Sequence, residues 1–151
     1  MSDVSPVGAS ATPGLEITTA PITDEIRTQW WSRLPYRHFE LEITVFNGTQ
    51  SHTGEITFEV GLPEDIIFDL NGATWNPLHR HELDGAIYEI WSPWSTVGSM
   101  PPNGHRRERL SVNLKPYVTH AVVLRRLFED GDPISEWVSE EVPFKPFEPQ
   151  L

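Results

Sequence analysis

The chain has 151 residues, 38% hydrophobic and 11% aromatic, enough for one domain with a real core and too few for two ordinary ones. Its 22 Asp and Glu against 11 Lys and Arg give a formal net charge of −11, which argues against general binding to nucleic acid or an anionic membrane. No cysteine is present, so disulfides, thiolate metal ligands and cysteine nucleophiles are excluded, and no apolar run nears the ~20 residues of a membrane-spanning helix.

Residues 1–14 are rich in Ser, Ala, Pro and Gly and read as a flexible N-terminal arm. They lack a basic start followed by an apolar segment, so no secretory signal is expected, favouring a cytoplasmic protein or one assembled from the cytoplasm, as a virion component is. A short strand is expected at 15–19. Residues 23–34 are ambiguous: Ile26, Trp30 and Leu34 suit one helical face, while Ile26, Thr28 and Trp30 suit a strand. The clearest signal follows. Phe39, Leu41, Ile43 and Val45 alternate with Glu40, Glu42 and Thr44; Ile56, Phe58, Val60 and Leu62 alternate with Glu55, Thr57 and Glu59. Period-two alternation puts one side of each run in a core and the other in water, predicting antiparallel strands at 39–47 and 54–62 joined by 48–53. Further strands are expected at 66–70, 86–91, 107–115, 119–128 and 134–142. Between them lie turn signals: Asn71-Gly72, Asp84-Gly85, Pro101-Pro102-Asn103-Gly104 and Asp130-Gly131-Asp132-Pro133. Residues 143–151 carry Pro143, Pro146 and Pro149 and read as an extended tail unable to join a ladder. The expected organisation is an arm over 1–14, an all-β antiparallel sandwich of seven to eight strands over 15–142, and a Pro-rich tail over 143–151. Ile43, Val45, Phe58, Val60, Leu110, Val112, Val122 and Leu124 are expected in one core.

The succession Asn47-Gly48, then Thr53-Gly54 leading to Leu62-Pro63, then Pro101-Pro102-Asn103-Gly104, then Leu110 to Pro116 resembles bacterial immunoglobulin-like accessory domains. CARDB-type domains and the repeats of prokaryotic surface proteins share that cadence of turns and strand ends. The resemblance covers 38–128 and implies an immunoglobulin-like sandwich acting as spacer or binding module, with no catalysis. This chain carries more tryptophan than that pattern.

Chemistry-bearing motifs are sparse. His79-Arg80-His81-Glu82 with Asp84 has ligand-like spacing on a strand, but it also reads as a polar loop ahead of the Asp84-Gly85 turn, with Arg80 opposing a cation. Glu129-Asp130-Gly131-Asp132 lacks the spacing of a calcium loop and reads as a hairpin turn. Asn47-Gly48-Thr49 fits a glycosylation sequon and also a turn. No nucleophile elbow or phosphate loop is present. The expectation is a non-enzyme with no metal and no cofactor.

Two surface features remain. Arg106, Arg107 and Arg109, with Lys115, form a basic stripe in an acidic chain: a contact patch for an acidic partner, or a cross-strand charge ladder with the glutamates of 39–47. Six tryptophans exceed what such a core needs, so Trp30, Trp31, Trp91 and Trp94 are candidates for the surface. Phe144 and Phe147, held between prolines, suit a partner's groove. The functional expectation is a protein-interaction or assembly subunit, for example a phage decoration-type protein, docking through these residues. The alternative is a carbohydrate-binding module built on exposed tryptophan; a metal-dependent enzyme at His79 and His81 ranks third.

Overall fold

The alternating run beginning at Phe39 belongs to a 13-residue strand whose odd-numbered residues, Arg37 to Asn47, are all buried. The computed structural model describes residues 14–69, 75, 77–93 and 98–147. These contain β1 (Leu15–Thr28), β2 (Pro35–Asn47), β3 (Ile56–Pro63), a 3-10 turn (Glu64–Ile66), β4 (Ile67–Asp69), β5 (Pro77–Leu83), β6 (Ala86–Trp91), β7 (His105–Leu114), β8 (His120–Glu129), β9 (Asp132–Pro133) and β10 (Val138–Pro143). The fold is all-β. One antiparallel sheet has the order β1-β2-β7-β4; the other runs β10-β8-β3-β6-β5, with β9 also paired to β8. A single apolar core lies between them, drawing Phe39, Leu41, Ile43 and Val45 from the first sheet and Ile56, Phe58, Val60 and Leu62 from the second.

The sequence predicts those two alternating strands as antiparallel neighbours joined by 48–53, but β2 and β3 lie in opposite sheets. The crossing is pinned by Asn47. Its buried amide Nδ2 donates to the carbonyls of Ser51, Met100 and Pro101 at 2.9–3.0 Å, while Oδ1 accepts from the backbone N–H and hydroxyl of Thr49. The sequon is thus a buried bracket. The stretch from His79 to Asp84, read as a polar loop, belongs mostly to β5 (Pro77–Leu83), which pairs with β6 through the Asp84-Gly85 turn. Positive φ at Asp84 (51°) and Gly85 (83°), and at Asp130 (53°) and Gly131 (85°), is what a two-residue hairpin turn requires. Residues 134–137 precede β10 instead of belonging to it.

In β8 the continuous apolar run gave no parity. Ala121, Val123 and Leu127 face the main core, whereas Leu124, with half-buried Val122 against it, lies in a second cluster with Tyr88 and Ile90 on the other side of that sheet. The core expectation therefore fails for Val122 and Leu124 and holds for the other six residues. Gly61 in β3 sits where a Cβ would approach Ile90 Cδ1 to 2.7 Å, so its missing side chain is what lets that outer cluster close.

The ambiguity over 23–34 has a physical cause. Ile17, Thr19 and Pro21 pair with Val45, Ile43 and Leu41, but a register shift between Pro21 and Thr23 resets the parity, so that Asp24 and Ile26 pair with Phe39 and Arg37. Residues 23–28 are strand, and 29–34 are the turn of a long β1–β2 hairpin. The tail also departs from expectation. Pro143 ends β10, where it faces His120, and the Phe144 N–H donates to the Thr119 carbonyl at 2.9 Å. The start of the tail packs on its own domain. Residues 1–13 and 148–151, which include most of the expected arm and the end of the tail, lie outside the described residues, as does the Asn71-Gly72 turn.

Candidate functional site

The end of the β1–β2 hairpin is closed by backbone bonds from Gln29 N–H to the Leu34 carbonyl (3.0 Å) and from Arg33 N–H to the Gln29 carbonyl (2.8 Å). A tight closure leaves the side chains of the loop no core to enter. Trp30 is 85% exposed, Trp31 65% and Leu34 53%, and the two indoles meet edge to face at 5.7 Å. Ile22 and Ile26, on the same ribbon, are also exposed. Ten large apolar side chains are exposed among the described residues, and these five share one hairpin.

Beside the tip runs a groove of about 230 Å³ lined by Gln29, Trp30, Trp31, Tyr36, Asp69 and Asn113. The turn presents Gln29, Trp30 and Trp31, and the ladder places the other three. Tyr36 is the second residue of β2, and its ring stacks on Phe68 of β4 at 5.6 Å. Asp69 of β4 is paired in register with Asn113 of β7, whose Nδ2 donates to Asp69 Oδ1 at 3.3 Å. Gln29 Nε2 reaches the other carboxylate oxygen at 3.5 Å. Both bonds are long for an amide donor on a carboxylate. The groove offers aromatic rings and one lightly used anion.

The remaining sequence candidates scatter. Trp91 is fully buried in the main core and Phe144 is 8% exposed, packed edge-on against Phe39 at 5.0 Å. Both were expected at the surface; each falls on the inward parity of its segment and fills a hole between the sheets. Phe147 is half-buried against Tyr117 at 5.0 Å. Trp94 lies outside the described residues. Arg106, Arg107 and Arg109 are exposed but do not share one face: Arg106 opposes Val45 on the core-side parity, while Arg107 and Arg109 oppose Thr44 and Glu42 on the outer one. The charge of Arg109 also helps hold the Glu40 carboxyl low, behind larger contributions from the hydroxyls of Thr23 and Ser111. The ladder reading fits Arg109 best.

His79 and His81 stand on β5 as a strand would place them, yet their partners are structural. His79 Nε2 lies 3.2 Å from Glu59 Oε2, and Glu59 also accepts from Arg126 at 3.1 Å. The His81 ring lies 5.2 Å from Trp137, whose other neighbour is the Arg126 guanidinium at 4.3 Å. No group of three or more His, Asp or Glu among the described residues is placed to hold a metal. A wider depression of about 510 Å³ beside Glu64, Asp65 and Ile87 is open and brings no reactive set together; at its edge burial pushes the Tyr88 hydroxyl up, with Asp84 and Asp65 adding to it.

Sequence reasoning missed Arg37. It is 1% exposed, ion-paired with Asp24, and its Nη2 donates to the carbonyls of Pro116 (2.8 Å) and Lys145 (3.0 Å). Asp24 in turn accepts from the Lys145 backbone N–H at 2.7 Å, and the guanidinium lies 5.1 Å from the Phe144 ring. The pair clamps the tail to the body.

No family model matches the chain, and no curated protein does. Among solved structures it is similar to a GH20 exo-β-N-acetylglucosaminidase from Vibrio harveyi, at 10% identity and TM-score 0.38, over 87% of this chain and 18% of that one. It is similar to a FixG-related protein from Vibrio parahaemolyticus at 13% identity and TM-score 0.39, over 85% and 96%. A Northeast Structural Genomics Consortium target stands at 11% identity and TM-score 0.43, over 89% and 84%. The chain thus spans about a fifth of the glycosidase's length. At these scores the likenesses carry no functional argument.

Proposed function

We propose that this chain is a non-catalytic docking module, an accessory or structural subunit of a larger assembly, that engages a partner protein through the tip of its β1–β2 hairpin. The body is an immunoglobulin-like sandwich. That reading is supported by the sheet order: β1-β2-β7-β4 corresponds to the A-B-E-D sheet of such domains and β3-β8-β10 to C-F-G, with the β5–β6 hairpin inserted ahead of strand E and added beside C.

The observation that carries the function is the gathering of Ile22, Ile26, Trp30, Trp31 and Leu34 on one exposed ribbon. An apolar patch in water costs free energy, and Trp-centred patches recur at protein interfaces. The alternative anchors are weaker: Phe144 is already seated in its own domain, and Trp91 is core. The carbohydrate reading moves with the tryptophans to the same tip, where Tyr36 and Asp69 would be its companions. The test is a Trp30→Ala/Trp31→Ala double variant, compared with a Leu78→Ala/Ile87→Ala control. The proposal expects the first to keep its melting temperature and lose incorporation into the native complex, and the control to retain both. Normal incorporation of the tryptophan variant would refute it.

A further inference from the structure

We propose that the groove beside the two tryptophans seats a basic side chain, arginine or lysine, presented by the partner protein; this rests on the docking reading above. Four groups decide it: the rings of Trp30, Trp31 and Tyr36, and the carboxylate of Asp69. Aromatic faces attract cations, and a carboxylate adds a charge-assisted hydrogen bond.

The two side-chain amides of the groove are already engaged. Asn113 gives Nδ2 to Asp69, and its Oδ1 lies 3.4 Å from His38 Nδ1. Gln29 gives Nε2 to Asp69, and its Oε1 accepts from Ser32 Oγ at 2.5 Å. Among the described residues Asp69 itself receives only those two long bonds from uncharged amides, although a carboxylate can accept about four. No ion pair reaches it among the described residues. The ladder cation opposite Tyr36, Arg27, is held by Glu25 through Nε (3.2 Å) and Nη2 (2.9 Å). Asp69 thus keeps acceptor capacity and negative charge beside aromatic surface, and a ligand that answers both is a donor that is also a cation. The net charge of −11 acts the same way at longer range, drawing basic surfaces and lowering the encounter rate of acidic ones.

The experiment titrates the full chain with N-acetyl-arginine amide and with its uncharged isostere N-acetyl-citrulline amide, following the indole N–H signals of Trp30 and Trp31 by NMR. The proposal expects saturable shifts with the arginine probe and none with citrulline. Asp69→Asn is expected to weaken binding on the order of tenfold, the lower end of what a charge-assisted hydrogen bond contributes, with Tyr36→Leu as a second variant. Equal shifts from both probes, no shift from either, or a response to cellohexaose in place of arginine would each overturn it. If the tryptophan double variant loses its complex while the arginine probe fails to bind, docking stands and the cation inference falls. If that variant keeps its complex, the docking reading has failed first.

Discussion

Arg37 places a charge where the alternation of its strand calls for an apolar side chain. The strand parity was legible in Phe39, Leu41 and Ile43; its partner was not. Asp24 reaches Arg37 only because the register shift near Ile22 resets the parity of β1, and an irregularity of that kind leaves no mark in a pattern of apolar residues. Breaking a buried pair leaves one charge without compensation. Asp24→Ala should therefore cost about 3–5 kcal/mol of unfolding free energy in urea, whereas the exposed pair Arg27–Glu25 should contribute little when Glu25 is replaced. Glu40 supplies a pH signature. Hydrogen bonds from Thr23 Oγ1 (2.6 Å) and Ser111 Oγ (2.8 Å), aided by His38 and Arg109, hold its carboxyl below the usual range. The unfolded chain binds the proton more readily, so this stabilisation is complete above the ordinary glutamate range near about 4.3 and is lost as pH falls through the lowered folded value. Glu40→Gln should flatten the acid limb of a stability-against-pH curve; an unchanged limb would contradict the assignment.

The elements differ in how far the chain announces them. Strands β2, β3 and the second half of β7 were readable because polar and apolar residues alternate over Phe39–Val45, Ile56–Leu62 and Leu110–Leu114. In β8 the run from Ala121 to Leu124 is apolar on both sides, since one side faces the main core and the other the Tyr88–Ile90 cluster, and so its parity was misread. Strand β5 was hidden by its polarity: as an edge strand it buries little, and its histidines and Arg80 looked like a loop. The site was half legible. Exposed tryptophan followed from an excess over core demand, but which ones depended on a hairpin closure and on Asp69 arriving from β4. Tail and tip should respond oppositely to mutation. Phe144→Ala removes a buried ring beside Phe39 and Arg37 and should cost about 3–5 kcal/mol. Trp30→Ala and Trp31→Ala each remove mostly exposed rings and should change stability by no more than about 0.5 kcal/mol. Equal losses at both places, read from urea midpoints, would mean that the tip is packed in solution.

At the scale of the whole molecule, two sheets bury one core, the tail is clamped back by Arg37 and Asp24, and half of the exposed large apolar side chains among the described residues lie along one long ribbon. Acidity is spread over a body whose basic residues are largely drawn into ladders and ion pairs such as Arg125–Glu140 and Arg126–Glu59. That ribbon carries the two most exposed tryptophans of the described residues, and docking through its tip is the function proposed for the chain. Site-specific photo-crosslinking in the native source tests this most directly, with a benzophenone amino acid placed in turn at positions 31, 78, 107 and 147. The docking reading expects one discrete adduct from position 31, suppressed when Trp30 is also replaced by Ala, and none from positions 78, 107 or 147. A discrete adduct from 107 or 147 with none from 31 would contradict it and move the interface to the arginine strand or the tail.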